Sequence, residues 1–246
     1  MRALRDVAIA VQFLTLLPIR FKAPPGEEAV GRSLIHYPLV GLMIGALLSG
    51  LAWLGSGLST LVLAALLLGL WVAVTGALHL DGLADSADAL AGGLGSREKK
   101  LAIMQDPHCG PVAVVTLIVL LLIKFAALEA VLTAGQWQSL ILAPLVGRMA
   151  AVLLFLTTPY VRPGGLGAAL ASRLPRKGCV LSLSLFTVAV LAFGSLPGLW
   201  LLLAAGLACF ALRHAMLKSL GGATGDTAGA TIEVTEAVGL VALAFL

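Results

Sequence analysis

The fold of this chain is decided by residues 60–88, which read TLVLAALLLGLWVAVTGALHLDGLADSAD. Residues 60–78 carry no charged side chain and approach the roughly 20 apolar residues that cross a bilayer core. Three carboxylates then follow at Asp81, Asp85 and Asp88. An apolar run that leads directly into an acidic segment predicts a membrane protein with polar chemistry at one membrane face.

The composition of the whole chain agrees with this prediction. The 246 residues are 60% hydrophobic and 11% charged, and the mean hydropathy is +1.05. Soluble domains are about 25% charged, so a soluble protein is disfavoured, and disorder is excluded because it needs low hydrophobicity. The net charge is +4. In a membrane protein the location of the basic residues matters more than this number, because basic residues set the orientation of the chain, and no nucleic-acid partner is expected. The lipid bilayer is the predicted surrounding.

The other apolar runs predict an all-α fold. We expect a polytopic helical integral membrane protein with about seven transmembrane helices, folded as a single domain over residues 1–246. The predicted spans are 37–55, 60–78, 111–133, 139–158, 179–195, 198–216 and 229–246. Residues 3–19 are interrupted by Gln12, Thr15 and Pro18, which predicts an amphipathic or re-entrant helix before the first span.

Basic residues predict the orientation of the chain. Apart from Lys124 and Arg148, every lysine and arginine lies in or beside the N-terminal segment or the long polar loops 79–110, 159–178 and 217–228. The positive-inside rule then places the N-terminus and these loops in the cytoplasm. We therefore expect a multi-pass protein of a bacterial or archaeal cytoplasmic (inner) membrane, with its active site facing the cytoplasm.

The acidic segment after the second span is the first candidate site. Asp81, Asp85 and Asp88 recur at i, i+4 and i+7, which places them within an arc of roughly 60° on one helix face. Like charges so spaced repel one another unless a cation compensates them. Carboxylates together with substrate phosphates are the ligands that Mg²⁺ prefers, so the spacing predicts a Mg²⁺ site. The alternative is a solvated acidic face, although the opposite face of this helix is apolar.

The rest of the same loop adds candidate phosphate and metal contacts. A glycine-rich stretch at residues 92–96 precedes Arg97, Lys99 and Lys100, and backbone N–H groups with basic side chains suit a phosphate. Asp106 is a candidate fourth metal ligand or a helix cap. His108 is a candidate base or phosphate donor, and a structural role is its alternative.

Charged residues within the predicted spans are the next candidates. Arg148 lies mid-span, where an unpaired charge is costly, so we expect it to contact a substrate phosphate or one of the aspartates. Lys124 and Glu129 are expected to pair with each other or to reach the interface.

The segment GGATGDTAG at residues 221–229 is a second candidate site. Asp226 and Thr227 lie at the start of the last span, and Glu233 and Glu236 follow inside it. We expect Asp226, Thr227 and Glu233 to contribute to the site from this end of the chain. The predicted active site therefore combines segments 79–110 and 217–236.

These strings also carry a family resemblance. The sequence resembles the cobalamin synthase family, the adenosylcobinamide-GDP ribazoletransferases, over essentially its whole length. The matching strings are residues 13–18, SLIHYPLVG at 33–41, HLDGLADSAD at 79–88, IMQDPHCG at 103–110, Gly147-Arg148 and GGATGDTAGATIEVTE at 221–236. The chain departs from the family pattern at Ala89, Ala113 and Asp106-Pro107-His108.

The resemblance implies a reaction and a set of residues. A Mg²⁺-dependent enzyme would transfer the cobinamide phosphate of adenosylcobinamide-GDP to the ribose hydroxyl of α-ribazole, or of its 5′-phosphate, and release GMP. It implies catalytic roles for His79, Asp81, Asp85 and Asp88, metal binding by Asp81, Asp85, Asp88 and Asp106, and substrate binding by Arg97, Lys99, Lys100, His108, Arg148, Asp226, Thr227 and Glu233. A homo-oligomer, or a complex with other cobalamin-assembly enzymes, stays open.

Three other functions fit parts of the pattern. The intramembrane charges suit an ion-coupled transporter, but we find no inverted repeat. A CDP-alcohol phosphatidyltransferase acting on lipid would use similar chemistry, but with a different aspartate spacing. A membrane scaffold would not need three aligned aspartates beside a basic loop.

Overall fold

The computed structural model describes residues 2–164 and 166–245, which form helices almost throughout. The helices are α1 (Arg2–Leu14), α2 (Glu27–Ser33), α3 (Tyr37–Leu54), α4 (Thr60–Thr75), α5 (Leu78–Gly92), α6 (Arg97–Ile103), α7 (Pro111–Thr133), α8 (Leu142–Thr157), α9 (Leu166–Ser172), α10 (Arg176–Leu220) and α11 (Gly225–Ala244). Within these ranges, pairing of the strand type is limited to one isolated bridge between Tyr160 and Ala223. The predicted all-α fold class is confirmed.

The number of helices that could span a membrane differs from the predicted seven. Five segments are long and apolar enough to cross, and a sixth results if α4 and α5 are counted as one span, although they meet at 86°. The five segments are Glu27–Leu54, Pro111–Thr133, Trp137–Thr157, Arg176–Leu220 and Gly225–Ala244. Part of the difference lies in α4, which has only 16 residues.

The remaining difference lies in α10, which joins the predicted spans 179–195 and 198–216. This 45-residue element is broken at Ser195, where φ is 49° and ψ is −134°. A Cβ atom at Gly198 would lie 2.4 Å from the carbonyl oxygen of Val190, whereas eight positions of straight helix span about 12 Å. The chain therefore folds back at the break, and the two halves of α10 correspond to the two predicted spans.

The predicted N-terminal helix is shorter than residues 3–19. Helix α1 has 13 residues, about 20 Å, which is less than the roughly 30 Å of a bilayer core. Its apolar face is buried against α2 and α3 through Ile9 and Leu14, among others. Asp6 on the same helix accepts a hydrogen bond of 2.9 Å from Nε of Arg32 in α2. The helix is thus anchored to the body of the protein.

Glycines allow two pairs of helices to approach closely. Helix α3 meets α8 where a Cβ at Gly41 would lie 2.4 Å from the carbonyl oxygen of Pro144. Helix α5 meets α11 where a Cβ at Gly82 would lie 2.6 Å from the carbonyl oxygen of Asp226. Small residues at such crossings let helix backbones pack directly. The second crossing brings the two acidic sequence motifs together.

We expect replacement of Gly82 by alanine to separate α5 from α11. The added methyl group has no room against the backbone of α11, and overpacking of this kind costs about 1–3 kcal/mol. The thermal unfolding midpoint of detergent-solubilised protein should fall. Gly69→Ala in α4 is the matched control and should not lower the midpoint. Nothing lies within 4 Å of its added Cβ, and alanine is a better helix former than glycine. Equal midpoints for Gly82→Ala and the native protein would contradict the proposed crossing.

Candidate active site

The first acidic motif is positioned by a sharp turn between α4 and α5. Gly76 and Ala77 are both left-handed, with φ of 63° and 56°. Such a conformation costs a non-glycine residue about 1–2 kcal/mol, so the surrounding structure must hold Ala77 in place. Because of this turn, α5 leaves α4 at 86° and is not one of the spanning helices that we assign.

The second motif is positioned by the N-terminal cap of α11. The hydroxyl of Thr224 accepts a hydrogen bond from the backbone N–H of Thr227, and the hydroxyl of Thr227 accepts one from the N–H of Thr224. Next to this cap, the backbone of Ala223 exchanges hydrogen bonds with Pro159 and Val161. The loop after α8 is thereby held against α11.

This attachment places a cation beside the second motif. Arg162 Nη1 donates a hydrogen bond of 2.7 Å to Asp226 Oδ2. Both side chains are largely but not fully buried. From sequence, Arg162 is only one of the basic loop residues that predict orientation, because nothing in the sequence indicates that the 159–164 loop packs on α11.

Two cavities meet at the crossing of α5 and α11. The aromatic cavity, about 330 Å³, is defined by the rings of Phe13, Tyr37, Phe155 and Tyr160, and His79 also lines it. The carboxylate cavity, about 630 Å³, is defined by Asp81, Asp85, Asp106, Asp226 and Arg162. Asp81, Arg162 and Asp226 line both cavities. These three residues form the boundary between two adjoining spaces.

Asp81 and Asp85 have the chemistry expected of cation ligands. In the described part of the chain, neither carboxylate has a hydrogen-bond or ion-pair partner, unlike Asp226 with Arg162. Burial, and then the negative charges of Asp81 and Asp226, raise the pKa of Asp85 to about 6. A bound cation would relieve this repulsion. Two carboxylates together with substrate phosphates are a usual ligand set for Mg²⁺, so the residues fit the predicted metal.

The structure does not gather all the predicted metal ligands. Among the described residues, no three of the types His, Cys, Asp and Glu are arranged to hold one ion. Asp88 accepts hydrogen bonds from the backbone N–H groups of Gly110 and Ala113, at 2.5 and 2.9 Å. These N–H groups lie at the start of α7, where a carboxylate is stabilised by the helix end. Asp88 thus caps α7 and lines neither cavity.

Asp106 and His108 lie at the exposed side of the carboxylate cavity. Asp106 Oδ1 is 2.5 Å from His108 Nδ1 and also accepts the backbone N–H of His108 at 3.0 Å. These hydrogen bonds lower the pKa of Asp106. Within residues 2–164 and 166–245, Asp106 therefore has a side-chain partner, whereas Asp81 and Asp85 have none.

Other predicted substrate contacts lie elsewhere. Arg97, Lys99 and Lys100 are on α6 and do not line either cavity. Arg97 instead lies beside Gly221. Thr227 is buried in the cap of α11, as described above.

The intramembrane charges form one buried cluster. Lys124 Nζ lies 2.5 Å from Glu233 Oε2 and 2.7 Å from Glu236 Oε2, and Arg148 pairs with Glu236. The Lys124 ammonium also lies 4.5 Å from the ring centroid of Trp71. Two positive and two negative charges are therefore balanced among α7, α8 and α11.

This ion cluster corrects two expectations. The predicted pairing of Lys124 with Glu129 is wrong, since Glu129 accepts hydrogen bonds from Thr60 and Thr133. Arg148 is predicted to contact a phosphate or an aspartate, but its partner is Glu236. Among the described residues, neither Arg148 nor Glu233 lines the aromatic or the carboxylate cavity. The partners could not be identified from sequence because they lie on helices far apart in the chain.

Tyr160 is a second residue of the site that sequence analysis missed. Its ring lies 6.2 Å, centroid to centroid, from that of Phe155 at an interplanar angle of 20°. A Cβ atom at Gly167 would lie 2.7 Å from the Tyr160 hydroxyl. The string YVRPGGLG at 160–167 is the available signal, since glycines often mark close backbone approach.

Fold and site together define a polytopic membrane protein with paired aromatic and acidic cavities at a helix crossing. The family described as cobalamin-5-phosphate synthase matches residues 6–244. A relative from Stutzerimonas stutzeri, named adenosylcobinamide-GDP ribazoletransferase, is 57% identical over 236 residues, which is 96% of each chain. Relatives of the same name from Pseudomonas paraeruginosa and Pseudomonas aeruginosa are each 54% identical over 242 residues, 98% of each chain. No solved structure matches. The chain belongs to the cobalamin-5-phosphate synthase family and is a transferase.

We expect Glu236→Gln to destabilise the protein, because it leaves Arg148 and Lys124 short of a buried counter-charge. Breaking a buried ion pair on one side costs about 3–5 kcal/mol. The free energy of unfolding can be measured by denaturant titration in detergent. Glu28→Gln is the control, since the Glu28 side chain is 80% exposed and surface substitutions change stability by less than about 0.5 kcal/mol. Equal losses in the two variants would contradict a stabilising role for the cluster.

Proposed function

We propose that this protein is a Mg²⁺-dependent adenosylcobinamide-GDP ribazoletransferase. The observation that carries this proposal is the boundary of Asp81, Arg162 and Asp226, where residues from both acidic motifs meet between two cavities. The names of the relatives support the substrates, adenosylcobinamide-GDP and α-ribazole or its 5′-phosphate. The same support favours this enzyme over a transporter, a lipid transferase or a scaffold.

The proposed reaction is a phosphoryl-type transfer. The ribose hydroxyl of α-ribazole attacks the phosphorus on the cobinamide side of the diphosphate, and a new P–O bond forms. The bond from that phosphorus to the bridging oxygen breaks, and GMP leaves with the electron pair. The hydroxyl proton passes to a carboxylate at the boundary. Such reactions depend on positioning and on stabilising developing negative charge.

The residues of the boundary, together with Asp85 of the carboxylate cavity, supply these two effects. Asp81 and Asp85 would hold the ion, which when bound supplies charge neutralisation at the diphosphate. Arg162 offers guanidinium donors that suit phosphate oxygens. Asp226 orients Arg162 through their 2.7 Å hydrogen bond. His79 lines the aromatic cavity and is kept neutral, because burial, Arg148 and Lys124 lower its pKa.

We propose a location in the bacterial cytoplasmic membrane, with the site at the cytoplasmic face. The support is the distribution of basic residues along the loops. Both soluble substrates would then reach the site from the same side.

Asp81→Asn and Asp85→Asn should each lower turnover by about a hundredfold or more, because the ion loses a charged ligand. Purified protein in liposomes would be supplied with adenosylcobinamide-GDP, α-ribazole and Mg²⁺, and GMP and cobalamin would be separated by chromatography. EDTA should abolish the native activity. Glu98→Gln, on the exposed helix α6, should leave turnover unchanged. Normal turnover in both Asn variants would refute the metal assignment.

Arg162→Ala should raise the KM for adenosylcobinamide-GDP by about tenfold or more, because a charge-assisted hydrogen bond to phosphate is lost. Arg162→Lys should retain part of the affinity, since it keeps the charge but not the planar fork. Steady-state kinetics with the donor varied would measure both. Arg173→Ala provides the control, because Arg173 is exposed and pairs with Glu27. An unchanged donor KM in Arg162→Ala would show that Arg162 does not bind the diphosphate.

A further inference from the structure

The aromatic cavity has properties that the transfer step itself does not require. Tyr37 and Phe155 are almost completely buried, and their rings face a space of about 330 Å³. Cavities of about 300–1,000 Å³ with apolar walls and a few polar groups are typical of small-molecule sites. The space is therefore large enough for an aromatic heterocycle, and a corrin macrocycle with its side chains is far larger.

A buried polar atom accompanies these rings. His79 is only 4% exposed, and its Nε2 has no hydrogen-bond partner in the part of the chain that the structure describes. A buried polar atom without a partner costs about 1–3 kcal/mol. His79 also lines the cavity, so its imidazole is the candidate polar contact for a ring nitrogen or hydroxyl of a ligand bound there.

The cavity also opens onto the groups assigned to the diphosphate. Asp81, Arg162 and Asp226 line it together with the carboxylate cavity. A nucleoside whose base fills the aromatic cavity would present its ribose at this boundary. A phosphate in the carboxylate cavity would then lie next to the attacking hydroxyl.

We propose that the aromatic cavity is the acceptor subsite, which binds the heteroaromatic base of the acceptor nucleoside against the rings of Phe155, Tyr160 and Tyr37, with His79 as its polar contact. The donor occupies the larger carboxylate cavity. This inference rests on the proposed transferase function, and it assigns each substrate to one of the two cavities.

Phe155→Leu tests the assignment, because leucine keeps an apolar side chain and removes the ring. The KM for α-ribazole should rise by about tenfold, in line with the loss of one aromatic stacking partner for a base. The KM for adenosylcobinamide-GDP should stay unchanged. Phe193→Leu is the matched control, since Phe193 is 89% exposed on α10, and both KM values should stay unchanged there. Equal increases in the two KM values of Phe155→Leu would overturn the assignment.

A second pair of variants covers the case in which Phe155→Leu fails to fold. His79→Leu should raise the KM for α-ribazole more than His79→Gln, because glutamine retains a hydrogen-bonding group. An equal effect of both variants, or a change in the donor KM alone, would overturn the role of His79.

A binding measurement separates this inference from the proposed function. α-Ribazole should raise the unfolding midpoint of the native protein in the presence of GDP and Mg²⁺, and Phe155→Leu should lose this shift while the shift caused by GDP persists. Absence of any α-ribazole shift in the native protein would overturn the acceptor subsite. Native protein that shows the α-ribazole shift but forms no cobalamin would retain the subsite and refute the transferase.

Discussion

The rest of the structure depends on four buried charges inside otherwise apolar helices. Lys124, Arg148, Glu233 and Glu236 form ion pairs with one another in a buried position, where an unpaired charge would be costly. Each charge fixes the rotation of its own helix about the helix axis, since turning any one helix would leave a charge on another helix without its counter-charge. Gly147 contributes by leaving room for Glu236, whose Cγ would lie 2.6 Å from a Cβ at that position. The register of α7, α8 and α11 is thereby set, and α5 packs on this frame.

The fold class and the two acidic motifs could be predicted from sequence, because bilayer thickness and helix periodicity act locally. The apolar runs at 111–133 and 139–158 correspond closely to α7 and α8. The turn at Gly76 and Ala77 and the break at Ser195 could not be placed, since both are conformations imposed by packing. A 19-residue apolar run at 60–78 therefore became a 16-residue helix.

The site was predictable in its residue types but not in its partnerships. Asp81, Asp85 and Asp226 line the cavities as expected, because helical spacing and motif position indicate a shared face. Asp88 shares that spacing, yet its oxygens are taken by the N-terminus of α7, which only the tertiary structure reveals. Arg162 and Tyr160 enter the site through backbone pairing with Ala223, and backbone pairing of this kind leaves no side-chain pattern in the sequence.

The walls of the aromatic cavity come from helices at opposite ends of the sequence. Phe13 belongs to α1, and Ile232 belongs to α11. Contacts between residues so far apart in sequence form late, because the intervening loop must be closed first. During synthesis α1 therefore emerges well before α11, and the cavity wall that both helices form cannot close until α11 has been made.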